Sequence, residues 1–326
     1  MGKTLPSPTD VERGHNKDRS PPYFCPPPPQ PWFPWLVPLI FLVNFVMFGY
    51  AMYVNDCPDT RGADQCLFSE YLGRFSFEPF NVNKLFGPSS TTLQDLGGLE
   101  KKLVVNDKEG WRLLTCMWLH AGVIHILANM LSLLFIGIRL EKEFGFLSIG
   151  LLYVLAGLGG SMASCLHTKL TDRPTISVGA SGALFGLLGA MLSELITNWT
   201  IYASKCAALL TLVLVIALNL SIGFIPGVDN SAHIGGFISG FFLGFVLLMR
   251  PQYGYVNRKY IPSGYHVKSK PRHKCYQYVL LVVALIILIL GYAYGFAKIF
   301  GGSGSRTESL PPPKFEIQRP GESLPP

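Results

Sequence analysis

Seven runs of about 20 mostly apolar residues, each long enough as a helix to cross about 30 Å of hydrocarbon, constrain this chain more than anything else in it. They lie near Trp35–Tyr53, Met117–Leu140, Phe146–Leu166, Ile176–Ile196, Cys206–Phe224, Ala232–Met249 and Tyr276–Phe296. The composition agrees: 49% of the 326 residues are hydrophobic and 14% charged, with a mean hydropathy of +0.34. An ordinary soluble domain carries about 25% charged residues, so a water-soluble globule is excluded. The expected fold is an all-α membrane protein, a polytopic helical bundle of seven transmembrane helices.

Orientation follows from the short loops, where Lys and Arg favour the cytosolic side. The loop after the sixth run carries Arg250, Arg258, Lys259, Lys268, Lys270, Arg272 and Lys274 with no Asp or Glu. That loop is expected in the cytosol, which puts the N-terminus there too. The chain then divides into a cytosolic Pro-rich tail (1–34), a six-helix core (35–249) with a long luminal loop (54–114), the basic loop (250–275), a seventh helix (276–296) and a luminal tail (297–326). Both tails read as disordered. The first run follows Pro26–Pro29, Pro31 and Pro34 where a signal peptide would have a short basic start, so it reads as a retained anchor. The net charge of +7 is then a matter of topology. The bilayer is the expected partner, and no nucleic-acid motif accompanies the basic residues.

Cys57 and Cys66, nine apart in the luminal loop, can pair in an oxidising compartment; two unrelated thiols are the alternative. Cys25, Cys116, Cys165, Cys206 and Cys275 show no metal-ligand spacing, and neither a metal nor another cofactor is expected.

Buried polar residues in a span are costly, so each calls for a reason. The second run contains "HAGVIHILAN", with His125 and Asn129 one helical turn apart on one face. The fourth contains "GASGALFG" with Ser181 near its start, and the sixth opens "NSAHIGG" with His233. Runs two, four and six enter from the same, non-cytosolic side. The four polar residues therefore lie at comparable depth, on the order of 5 to 15 Å inside. A Ser among small residues is commonly a packing residue, and a lone His near a helix start is commonly interfacial. Four such groups at one depth point to a shared site.

The chemistry of the residue types suggests roles. A hydroxyl needs a base to become a nucleophile, and neutral imidazole suits that task near neutral pH, so Ser181 pairs with His233. The His125 ring N–H, the Asn129 amide and the Ser181 backbone N–H are candidate donors to an oxyanion. Gly236, Gly240 and Gly244 recur every four residues after His233, and Gly182 and Gly186 recur likewise after Ser181, as a close helix crossing requires. No carboxylate lies within a turn of His233 inside its span; Asp229 lies in the preceding loop. A Ser-His dyad is the simpler arrangement, with Phe185 on the same face as Ser181 and able to stack on the imidazole.

From about Trp111 to Leu248 these residues resemble the rhomboid intramembrane serine proteases. "GWR" at Gly110 to Arg112 is similar to that family's Trp-Arg loop signature, and "HAGVIHILAN" to its His-x-x-x-Asn element. "GASG" at Gly179 to Gly182 resembles the Gly-x-Ser-Gly nucleophile motif, and "AHIGG" at Ala232 to Gly236 the Ala-His-x-x-Gly motif. The resemblance implies a serine protease of the hydrolase class, with Ser181 as nucleophile, His233 as general base, and His125 and Asn129 at the oxyanion site. Phe185 departs from the Tyr of many bacterial relatives. A seventh span after a six-span core is similar to plant-type secretory-pathway rhomboids, which implies a Golgi location, with the plasma membrane as alternative.

The expected substrates are single-span membrane proteins cut near the luminal end of their helix. A non-proteolytic rhomboid-like protein that binds and guides membrane clients is the rival reading. A transporter is a second rival, but the acidic residues in the runs, such as Glu194, lie near run ends instead of mid-span.

Overall fold

A computed structural model describes residues 31–168, 175–199, 204–222, 229–251 and 273–301. The tail 1–30, the greater part of the basic loop (252–272) and the tail from 302 onward lie outside the described residues. Among the described residues no β-strand forms; the only extended pairings are two isolated bridges.

The long elements are α1 (Leu36–Asn55), α2 (Val123–Phe144), α3 (Phe146–His167), α4 (Ser181–Thr197), α5 (Lys205–Ile222), α6 (Asn230–Leu247) and α7 (Cys275–Phe300). The spans at α1, α2, α3, α6 and α7 are long and apolar enough to cross a membrane; α4 and the apolar stretch of α5, Cys206–Ala217, are shorter. The protein is a multi-pass membrane protein.

Two helices begin later than their apolar runs. Residues Cys116–Trp118 form a 3₁₀ turn, and α2 starts only at Val123. The fourth run begins at Ile176, yet its first five residues stay outside the helix. Ser177 and Leu99 exchange both backbone hydrogen bonds at 2.9 Å, and the Gly179 N–H donates to the Cys116 carbonyl at 2.9 Å. A short apolar stretch does not itself distinguish buried extended chain from helix, and here distant backbone partners decide.

The core is made of α3, α4 and α6, each packed directly on the other two. α4 and α6 run parallel, since Gly182 lies against Gly236, Gly186 against Gly240 and Ala190 against Gly244. A Cβ on Gly236 would come within 2.0 Å of the Gly182 carbonyl oxygen, and one on Gly240 within 2.0 Å of that of Gly186. The two backbones touch, and only glycine permits it. Above this crossing lies the insert between α1 and α2. It holds the short helices Cys57–Arg61, Ser90–Asp95 and Lys101–Val105, and Cys57 and Cys66 are joined there by a disulfide.

At the opposite end Glu141, fully buried, accepts the first backbone N–H groups of α1 from Trp35 (2.9 Å), Leu36 (2.8 Å) and Val37 (2.8 Å). Helix starts leave such donors without partners, so one carboxylate of α2 anchors α1.

Candidate active site

Because α4 and α6 are parallel, their N-termini share one end of the bundle, where α2 also begins. Ser181 is the first residue of α4 and His233 lies in the first turn of α6. The Ser181 Oγ and the His233 Nε2 are 2.9 Å apart. The imidazole is stacked on Phe185, one turn along α4, with ring centroids 4.3 Å apart and planes 22° apart.

His233 Nδ1 has no hydrogen-bond partner among the described residues. Asp229 is committed elsewhere. Its Oδ1 accepts the N–H groups of Ser231 and Ala232 at 3.1 Å, capping α6, and its Oδ2 accepts from the Ser164 hydroxyl. Among the described residues no carboxylate is hydrogen-bonded to the imidazole, and Ser181 and His233 stand as a pair. For Nε2 to accept the hydroxyl proton, the neutral ring must carry its own proton on Nδ1.

His125 and Asn129 stand on the first two turns of α2, across from Gly179. The Ala121 N–H approaches His125 Nδ1 at 3.4 Å, which leaves Nε2 as the protonated nitrogen. Gly179 has φ +127°, a region L side chains rarely adopt, and a Cβ there would lie 2.7 Å from His125 Cε1 and 2.8 Å from its Nε2. Glycine therefore keeps open the space between Ser181 and the two side chains of α2. The Nδ2 of Asn129 is buried without a partner among the described residues. An orphan buried donor is costly unless something transient occupies it, and a developing oxyanion is such an acceptor. The N–H of Ser181 belongs to the first turn of α4, where intrahelical acceptors are lacking and the helix dipole is positive.

Ser181, His233, His125, Asn129, Phe185 and Gly179 all line one cavity of about 300 Å³. Gly236 and Gly240 do not reach it; they lie below, at the crossing that holds the dyad together. Among the cavity residues to which the sequence reading gave no role are Cys116 and Ser161, whose Sγ and Oγ lie 3.2 Å apart. A signal for Ser161 existed, since a hydroxyl in mid-span needs a reason. Cys116 gave none, because its place depends on the fold of the insert.

The Rhomboid domain family matches residues 107–250. RHOMBOID-like protein 5 of Arabidopsis thaliana is 59% identical over 300 residues, 92% of this chain and 95% of that protein. The chain belongs to the rhomboid family.

The similarity extends to a bacterial member named as a protease. Rhomboid protease GluP of Bacillus subtilis is 38% identical over 160 residues, 49% of this chain and 30% of that protein. It extends as well to Inactive RHOMBOID-like protein 8 of Arabidopsis thaliana, 46% identical over 218 residues, 67% of this chain and 60% of that protein. Membership in the rhomboid family therefore supports an intramembrane-protease type of function at the level of the family, and the activity of this plant-type rhomboid rests on its own site.

Proposed function

We propose that this rhomboid is an active intramembrane serine endopeptidase, with Ser181 as nucleophile and His233 as the only general base. The 2.9 Å contact between Ser181 Oγ and His233 Nε2 carries the reading. In acylation His233 takes the hydroxyl proton as Oγ attacks the peptide carbonyl, and the oxyanion is held by His125 Nε2, Asn129 Nδ2 and the Ser181 N–H. The imidazolium then protonates the leaving amine, which departs with one fragment. A water molecule, deprotonated by His233, releases the other fragment from Ser181.

The substrates are single-span membrane proteins cut at or near the end of their helix on the Ser181 side. A helix must open locally to offer its carbonyl to Ser181, so cut sites are rich in Gly and small residues. All seven helices cross the bilayer, six forming the core and α7 following it, with the division of the chain into tails, core and basic loop as set out above. The N-terminus is cytosolic and the dyad faces the lumen. Two separate observations support this side: the basic loop after α6, and a Cys57–Cys66 disulfide at the dyad's end of the bundle, which needs an oxidising compartment. The secretory pathway is the location, and the Golgi within it.

The relative named as inactive favours one alternative, a client-binding rhomboid without proteolysis. A panel of single-span reporters co-expressed with the wild type, Ser181→Ala and His233→Ala separates the two. Released fragments with wild type and none with either variant support the protease. Identical reporter fates in all three would leave client binding.

A further inference from the structure

We propose that the last turn of α7 positions the nucleophile segment, and that Ile299 is its positioning residue. α7 lies outside the matched Rhomboid domain, so nothing in that domain assigns it a role at the site.

α7 is hydrogen-bonded to the bundle in its first turn and again at Tyr292. In its first turn the fully buried Gln277 donates to the Arg250 carbonyl at 2.9 Å, and the Tyr276 hydroxyl donates to the Thr197 carbonyl at 2.7 Å. These acceptors belong to the C-terminal ends of α6 and α4. Further along, the Tyr292 hydroxyl donates to the Leu155 carbonyl of α3 at 2.7 Å. A hydrogen bond in an apolar surrounding has no water to replace it, so these contacts set the height of α7 against the bundle.

That height decides what the last turn touches. Ile299, 2% exposed, is packed in one cluster with Leu99, Val104, Leu113, Cys116 and Met162, while the Phe300 ring lies against Gly110. Two members of this cluster hold the backbone that leads into Ser181. Leu99 pairs with Ser177 through both of its backbone groups, and the Cys116 carbonyl accepts from Gly179. Ser177 and Gly179 are held outside the helix by those partners. The route from Ile299 toward Ser181 is therefore one packed cluster of side chains followed by three backbone hydrogen bonds, which end on Ser177 and Gly179. Close-packed layers transmit a volume change, since a cavity draws its walls inward. Displacing Leu99 or Cys116 moves Gly179, and with it the gap that His125 and Asn129 face.

The activity readout of this inference rests on Ser181 being the nucleophile, so the experiment pairs it with one that does not. Full-length Ile299→Ala, Ile299→Leu and Leu288→Ala are purified with wild type and reconstituted in liposomes. Leu288 is a buried α7 residue that packs on the main core instead of this cluster. Labelling of Ser181 by a fluorophosphonate, hydrogen exchange of the 176–180 backbone, and thermal unfolding are measured on each. The expected result is labelling about tenfold slower in Ile299→Ala, with faster exchange at 176–180, as a cavity in a well-packed layer produces. Ile299→Leu, which conserves volume, returns both to within about twofold of wild type. Leu288→Ala unfolds at lower temperature yet labels and exchanges at 176–180 like wild type. Equal slowing in Ile299→Ala and Leu288→Ala would reduce α7 to general stability, and wild-type exchange at 176–180 in Ile299→Ala would overturn the inference. Wild type that fails to label while the exchange difference persists would sink the nucleophile reading and leave the positioning intact.

Discussion

The imidazole of His233 lies nearly flat on the ring of Phe185, 22° from parallel, while its Nε2 points at Ser181. With Nδ1 unpartnered among the described residues, the ring is oriented by stacking where a triad would use a carboxylate. Phe185→Leu removes an aromatic pair worth about 1 kcal/mol, which corresponds to about fivefold in rate. Phe185→Tyr keeps the ring and stays within about twofold of wild type. The measurement is kcat/KM on a single-span reporter in liposomes, and a Leu variant as fast as wild type would show that stacking does not orient the base.

Asn129 Nδ2 is a buried donor without a partner among the described residues. Its removal in Asn129→Ala is expected to lower kcat about 10²-fold, the usual effect of losing one oxyanion donor. An unsatisfied buried donor costs about 1–3 kcal/mol, so thermal stability stays level or rises. A fall in stability with unchanged kcat would move Asn129 from chemistry to packing.

Gly236 and Gly291 make opposite predictions for the same substitution. A Cβ on Gly236 meets the Gly182 carbonyl oxygen at 2.0 Å, whereas one on Gly291 finds nothing within 4 Å. Gly236→Ala should destabilise by about 1–3 kcal/mol through overpacking and pull Ser181 from His233. Gly291→Ala should stabilise by up to about 1 kcal/mol through helix propensity. Thermal unfolding of the two variants side by side checks both signs.

Glu141 receives three backbone N–H groups from α1. Glu141→Ala leaves the buried Val37 N–H and the part-buried N–H groups of Trp35 and Leu36 without their acceptor and should cost at least about 1–3 kcal/mol, the penalty for one buried donor. Glu141→Gln retains an acceptor oxygen and should lose less. Labelling of Ser181 per folded molecule is expected to be unchanged in Glu141→Gln, because the anchor lies at the other end of the bundle. Equal stability of both variants and wild type, read by denaturant or heat, would show that α1 starts without the carboxylate.

What the sequence determined by itself was the solvent and the end of the bundle where the polar residues gather. Apolar length and residue type are local properties, so the membrane helices, and the placing of Ser181, His125, Asn129 and His233 toward one end of them, could be read directly. The glycine periods after Ser181 and His233 were legible for the same reason, being repeats within one helix. Only the tertiary structure decided where α4 starts, because Ile176–Ala180 is apolar enough for a helix and is kept out of it by backbone bonds from Ser177 and Gly179 to Leu99 and Cys116, far away in the chain. It likewise decided that Cys116 and Ser161 share the cavity, that Glu141 caps α1, and that α7 ends against the insert. Each of these joins residues many positions apart, and no period in a sequence reports a contact made between helices.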